Sequence, residues 1–255
     1  MCTCCIFQIF GFRADGYKQY NYLIDEDQTI GQDGTLVHGQ DSVISMLDHA
    51  FNSFGTGESD CGIHADNCFG QNKNRYVLAY LSWRTMIGSH RNIKYMMQLP
   101  GHTRCLIDAG FGTIKKLYRR SNCDTLQHVT EVVLKSAHSN VPVTYGEWMW
   151  KGWKVFLADR FKKVPNISKY HHFRFTSLEP GIVYMKVAAD DTNEIRFVIC
   201  KTNYLQMDRN DLPSVIHPAG LSRERQTYLY RHVRPLVRRL FQDVLCPVPP
   251  SSDGQ

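Results

Sequence analysis

The sequence predicts an α/β fold with a mixed sheet, followed by a smaller C-terminal α+β region. Two strand-like runs at 5–12 and 17–24 flank the turn signal Asp15-Gly16 and predict a hairpin. Between 43 and 138, apolar residues at helical spacing alternate with short strand-like runs, which is typical of an α/β domain. Beyond residue 141 tryptophans cluster and strand-like alternation returns over 172–200, which indicates a second region.

Each element of the first region is predicted from its apolar spacing and from the residue that ends it. Val43 begins an apolar helical face that stops at Gly55, and the apolar stripe from Tyr76 to Ile87 stops at Gly88. In chain order the prediction is the hairpin, a helix over 43–54, a strand over 61–65, a helix over 76–87, a strand over 93–99, and helices over 107–118 and 125–138.

The second region is predicted to contain a short helix at 156–161, the meander at 172–200 and a helix at 221–241. Pro235 should kink or divide the last helix, because proline removes a backbone donor. That helix carries six arginines, at positions 223, 225, 231, 234, 238 and 239. The predicted domains are therefore a core over 1–140, an extension over 141–245 and a disordered, Pro-rich tail over 246–255.

Composition points to an intracellular protein with a polyanionic partner. Nine irregularly spaced cysteines form no disulfide framework, and the start shows no signal peptide. A run of 18 apolar residues does not occur, so no membrane partner is expected. Residues 1–60 hold two basic and nine acidic residues, whereas the other 195 residues hold 28 basic and 15 acidic ones. A basic body favours nucleic acid, with DNA and a nuclear location expected, although a solvated Lys/Arg-rich surface gives the same balance.

The segment 64–75 is the most informative stretch of the chain. It gathers a carboxylate, four side-chain amides, a thiol and two cations between a predicted strand and a predicted helix. Polar groups at a strand's carboxyl end commonly face a ligand. We therefore predict that Asp66 is functional.

Asp66 at a strand end and Asp108 at a helix start are candidate ligands of Mg²⁺ or Mn²⁺. Hard cations prefer oxygen ligands and commonly bind through one or two carboxylates together with phosphate oxygens. Two such ions can orient water and stabilise a leaving oxygen in phosphodiester chemistry. The alternative is that each aspartate caps a helix, which is frequent for aspartate at such positions.

Other candidate sites give weaker signals. His102, after the strand at 93–99, could orient a phosphate or water, but a hydrogen-bonded turn histidine fits the same spacing. Cysteine spacings do not match a zinc site, and G-x-S-x-G or Walker-type phosphate motifs do not occur.

A set of short motifs resembles one known family. They are His64 to Cys68 with Gly70 to Asn74, Tyr80-Leu81 with Trp83-Arg84, Gly101-His102-Thr103, Asp108 with Phe111-Gly112, Lys115-Lys116, Arg119-Arg120, and His171 to Phe175 with Pro180-Gly181. Together they resemble an uncharacterised domain family of the DUF7869 type, found in animal proteins of transposable-element origin. The resemblance runs over nearly the whole chain, from residue 5 to 240.

The resemblance implies a ribonuclease-H-like, DDE-type transposase core with three metal-binding carboxylates. Asp66 matches the second carboxylate and Asp108 the third. The family usually carries a strand with the first aspartate upstream of the segment resembling 5–12, and this sequence begins after it. The expected core therefore lacks its first strand and is catalytically defective as written.

The expected function is that of a transposase-derived domain related to phosphodiester-cleaving and strand-transfer enzymes. The alternative is a non-enzymatic module that binds nucleic acid or protein. For the transposase-like function, Asp66 and Asp108 are the expected catalytic and metal-binding residues, whereas the alternative relies on the basic second half of the chain. The expected nucleic-acid contacts are Asn67, Gln71, Asn72, Lys73, His102, Lys115, Lys116, Arg119 and Arg120.

Overall fold

A computed structural model describes residues 7–68, 70–98 and 105–250. The chain forms two compact units built from alternating stretches. Unit 1 comprises residues 1–37, 104–150 and 216–255, and unit 2 comprises residues 38–103 and 151–215. The consecutive domains predicted from the sequence, over 1–140, 141–245 and 246–255, stay a prediction.

The described residues form ten strands and seven α-helices, so the predicted α/β class with mixed sheets is confirmed. In chain order these are β1 Gln8–Arg13, β2 Gln19–Ile24, α1 Gln40–Ser53, β3 Asp60–Ala65, α2 Arg75–Met86, β4 Asn92–Met97, α3 Leu106–Tyr118, α4 Leu126–Ser136, β5 Asn140–Thr144, β6 Trp150–Lys151, α5 Trp153–Arg160, β7 His172–Thr176, β8 Ile182–Lys186, β9 Ile195–Val198, β10 Val215–Ile216, α6 Arg223–Tyr228 and α7 Gln242–Leu245. None of the described helices has the length and apolar character needed to cross a membrane.

Unit 1 contains a three-stranded sheet in the order β1-β2-β5. The predicted hairpin is confirmed, since β1 pairs antiparallel with β2, while β2 pairs in parallel with β5. Helices α3 and α4 pack beside it around Leu23, Ile114 and Val133. A tight contact fixes α3 against β2, because a Cβ at Gly110 would lie 2.1 Å from Oε1 of Gln19. A larger residue at position 110 would therefore require the buried Gln19 side chain to move.

The C-terminal part of unit 1 is divided rather than one helix, as Pro235 predicted. Helix α6 ends at Tyr228 and passes through a π-type turn into a 3₁₀ turn that contains Pro235. Arg225 of α6 donates from Nη2 to Oε2 of the buried Glu26 at 2.8 Å. Cys246, which the sequence placed in the tail, is buried against Leu229.

Unit 2 contains a five-stranded sheet in the order β3-β4-β7-β8-β9. Strand β3 runs parallel to β4, and the later strands form the predicted antiparallel meander. Helix α2 packs against β4 and β7, and α1 and α5 pack against α2. Buried aromatic rings fill the helical layer, with Trp83 and Trp153 centroids 5.3 Å apart.

A buried ionic network joins the helices of unit 2 around Asp48 of α1. Its Oδ1 accepts from the Tyr80 hydroxyl at 3.0 Å and lies 3.4 Å from Nη1 of Arg84. Its Oδ2 accepts from Nζ of Lys151 at 3.0 Å. Arg84 also donates from Nε to Nδ1 of His90 at 3.2 Å. Both charges of the Asp48–Arg84 pair are nearly excluded from solvent, so the two residues depend on each other.

We expect Asp48→Asn to lower the free energy of unfolding by about 3–5 kcal/mol, because it leaves Arg84 and Lys151 without their buried counter-charge. Urea unfolding followed by circular dichroism measures the change. The matched control is Asp60→Asn, which removes an exposed partner of Arg91 and should change stability little. Equal effects of the two substitutions would contradict a special role for the buried carboxylate.

We expect stability to fall as pH drops from 6.5 towards 4, in part because of His90. Burial and the adjacent Arg84 charge lower the pKa of His90 from 6.5 to about 4. In that window the unfolded chain binds a proton that the folded chain excludes, so acid favours unfolding. His90→Asn should flatten this part of the pH profile in urea unfolding. Parallel profiles for parent and variant would contradict the assignment.

Candidate functional site

Asp66 follows β3 directly and begins the loop 66–74 that leads into α2. Its Oδ1 accepts from Nδ2 of Asn72 at 2.5 Å and from the backbone N–H of Cys68 at 3.3 Å. Asp66 is exposed and does not cap α2. These two donors fix the carboxylate at the carboxyl end of the strand, where the sequence placed it.

A hydrogen bond from β4 holds the loop in place. The buried Tyr95 donates from its hydroxyl to the backbone carbonyl of Asn72 at 2.9 Å. Burial raises the pKa of Tyr95 above its ordinary value, and the negative charge of Asp66 adds to the rise. Tyr95 is therefore a neutral donor, and it holds the residue whose side chain orients Asp66.

Lys73 and Asn74 anchor the far end of the loop. Lys73 is buried, its Nζ donates to the Ser168 carbonyl at 2.9 Å, and burial lowers its pKa. Asn74 caps α2, since its Oδ1 accepts from the N–H groups of Tyr76 and Val77. Much of the polar density that marked this segment therefore stabilises the loop itself. The predicted phosphate contacts of Gln71, Asn72 and Lys73 remain predictions.

Asn67 differs from its neighbours. Its Oδ1 is shielded from solvent and has no hydrogen-bond partner among the described residues. A shielded acceptor without a donor costs free energy. The buried amide oxygen of Asn67 is thus an unsatisfied acceptor within the loop.

Asp108 lies in unit 1, on the first turn of α3, whereas Asp66 belongs to unit 2. Its Oδ2 accepts from the backbone N–H of Cys105 at 3.2 Å, which is the capping geometry of a helix start. Asp108 therefore has the structural role that the sequence left open as an alternative. That role leaves the carboxylate exposed.

The described residues do not fit a complete three-carboxylate site. No group of three or more His, Cys, Asp and Glu side chains among them could hold a metal ion. Around Asp66 the loop supplies one carboxylate, and Asn72 presents an amide donor rather than an oxygen to it. An ion shared by Asp66 and Asp108 remains a prediction.

The four predicted cations at the end of α3 are all exposed: Lys115, Lys116, Arg119 and Arg120. Among the described residues none of them forms an ion pair with a carboxylate. His102 lies outside the described residues, so its predicted role remains a prediction. The cluster at 115–120 is thus a localised positive charge that no carboxylate of the described residues neutralises.

The arginine-rich stretch 223–239 behaves differently. Arg225, Arg234 and Arg238 each form an ion pair within unit 1, with Glu26, Asp243 and Asp124 respectively. Through Glu26, one of these pairs ties the stretch to the acidic first 60 residues. Half of its charge is therefore structural.

Strand alternation in unit 2 produces a polar sheet face that the motif analysis missed. One cross-strand row joins Lys94, Arg174, Tyr184 and Arg196, and the next joins His64, Met96, His172 and Lys186. We call these eight residues the open face. The intervening residues of the central strands, such as Tyr95 and Phe173, are buried. The signal in the sequence was the two-residue period of 92–97, 172–176 and 182–186.

The fold and site define an α/β protein with two mixed sheets and a fixed polar loop at a strand end. A family model described as a domain of unknown function, DUF7869, matches residues 34–193, and the chain belongs to this family. Curated proteins and solved structures gave no match to the chain.

We expect calorimetric titration with Mn²⁺ to show binding heat that is lost in Asp66→Asn, because a hard cation binds through carboxylate oxygens. Asp60→Asn, which alters another exposed carboxylate of unit 2, is the control and should keep the heat. Absence of heat from the parent protein, or unchanged heat in Asp66→Asn, would contradict a metal site at Asp66.

Proposed function

We propose that the protein is a DNA-binding domain derived from a transposase, with a ribonuclease-H-like ancestry and a defective catalytic site. The observation that carries the binding activity is the cluster Lys115, Lys116, Arg119 and Arg120. Its four cations lie within six residues, are exposed and have no carboxylate partner among the described residues. Phosphates provide the missing counter-charge without requiring sequence recognition.

The position of the cluster strengthens this proposal. Lys115 and Lys116 occupy the last turn of α3, and Arg119 and Arg120 follow its end, where the helix dipole also attracts positive side chains. A helix dipole alone accounts for one or two cations, whereas here four lie within six residues. The paired arginines of the same unit show that local carboxylates neutralise cations where they can reach them.

The ribonuclease-H-like ancestry is supported by β3, α2 and β4. These elements form a parallel crossover unit, with Asp66 at the carboxyl end of the first strand. Strand β3 is at the edge of the described sheet, where a first strand would pair. The hairpin, however, pairs with β5 in a separate sheet of unit 1, so its strands do not belong to the sheet that contains β3 and β4.

The carboxylates support the proposal of defective catalysis. Metal-dependent phosphodiester cleavage needs a clamp of converging oxygen ligands. Asp66 is bound by two loop donors, and Asp108 caps α3. We therefore propose a scaffold that binds nucleic acid through its surface, with a protein-interaction module as the alternative.

We expect the combined substitution of Lys115, Lys116, Arg119 and Arg120 by alanine to weaken binding of a fluorescein-labelled DNA duplex in an anisotropy titration. At low salt the loss should exceed about tenfold, and the slope of log K against log salt should flatten by about 3–4.

The matched control removes four exposed cations of unit 2, through Lys154→Ala, Lys162→Ala, Lys163→Ala and Arg209→Ala. It makes the same change in net charge and should keep most of the affinity. A third variant, with alanine at Arg223, Arg231 and Arg239, tests the remaining exposed arginines of unit 1. If the α3 variant binds like the parent at every salt concentration, the proposed surface is wrong.

A further inference from the structure

The open face of the unit 2 sheet carries its own positive charge. Lys94, Arg174, Lys186 and Arg196 are its cations, and Glu194 and Glu179 at its border are the carboxylates that pair with them. Lys94 and Lys186 form no ion pair among the described residues. The hydrogen bond from Arg174 is the largest cause of the lowered pKa of Glu194, and the positive charges of Arg174, Lys186 and Lys94 lower it further. Cations therefore exceed carboxylates on this face.

The same face also presents rings and a flat guanidinium. The Arg174 guanidinium carbon lies 4.1 Å from the Tyr184 ring centroid, a stacked arrangement. His64 and His172 lie in the neighbouring row, on either side of Met96. Burial is the main cause of the lowered pKa of His172, and the positive charges of His171 and Lys186 lower it further. A neutral imidazole is a flat ring on which a base can stack.

The geometry of a sheet matches these groups to an extended chain. Neighbouring strands are about 4.8 Å apart, so the row from Lys94 to Arg196 spans roughly 14 Å across four strands. Such a row places cations and rings at intervals along a flat surface rather than at the end of one helix. A duplex stacks its bases inside and offers only its backbone, whereas a single strand offers phosphates and unpaired bases together.

We propose that the open face binds single-stranded nucleic acid, with Lys94 and Lys186 contacting phosphates and His172 and the Arg174–Tyr184 stack contacting bases. This surface lies in unit 2 and is additional to the duplex-binding cluster of α3. An acidic polypeptide would satisfy the cations but would leave the rings without a partner, so nucleic acid fits the face better.

The test uses fluorescein-labelled oligothymidine, which has no secondary structure, with the full-length protein. Lys94→Ala combined with Lys186→Ala should weaken oligothymidine binding about fivefold or more, and His172→Ala should do the same through lost stacking. Lys94→Arg combined with Lys186→Arg keeps the charge and should retain affinity within about twofold. The matched control, Lys162→Ala combined with Lys163→Ala, removes two exposed lysines outside the strands and should bind like the parent.

Circular dichroism melting of each variant establishes that it is folded before binding is compared. The proposal is overturned if the Lys94/Lys186 alanine variant binds oligothymidine like the parent, or if it loses no more than the Lys162/Lys163 control. It is also overturned if polyglutamate displaces oligothymidine at equal charge concentration, which would indicate an acidic polypeptide. Failure of the α3 surface is separate, since it appears with duplex DNA and in different variants.

Discussion

The carboxylate of Asp48 is the interaction on which the arrangement of unit 2 depends. It accepts hydrogen bonds from Tyr80 and Arg84 of α2 and from Lys151 of β6, which precedes α5. Three separate stretches of chain are thereby fixed around one buried charge. Removing an ion from water is expensive, so the network stabilises this arrangement only when all of its partners are present.

The position of α2 in turn determines where the polar loop begins and ends. Since α2 packs on β4 and β7, its first turn is held close to the carboxyl end of β3, and the nine residues 66–74 must close that distance. The loop does so with side-chain hydrogen bonds, because a turn without regular structure must satisfy its own backbone groups. Asn74 caps α2, Asn72 donates to Asp66, and Lys73 donates to a backbone carbonyl of the segment before β7. Functional and structural uses of the same polar residues cannot be separated by composition alone.

Elements were predictable from the sequence wherever a periodic pattern and a terminating residue occurred together. Helices α1 to α4 and strands β1 to β4 were found within a few residues of their observed bounds. Strand β5 was missed because Pro142 lies inside it, and proline argues against a strand unless the strand is at an edge, as β5 is. Assignment of the strands to separate sheets was beyond the sequence, since strand pairing depends on contacts between distant residues rather than on local pattern.

The candidate sites differ in the same way, because one is built from consecutive residues and the other from strands that are far apart in the sequence. Asp66 was placed correctly at a strand end, because the strand, the polar loop and the helix are consecutive. The open face required the pairing of five strands that span more than a hundred residues, and single cations such as Lys94 and Lys186 carry no motif.

Charge in this protein is best understood through its counter-charges. Arginines of 223–239 that reach Glu26, Asp124 or Asp243 contribute to packing in unit 1. The cations of α3 in unit 1, and Lys94 and Lys186 of the open face in unit 2, form no such pair among the described residues. A cation that a fold leaves unpaired in a patch retains its long-range field, which attracts polyanions and weakens with salt. The net charge of +6 therefore understates the basic character of the two surfaces, because acidic residues elsewhere in the chain neutralise different cations.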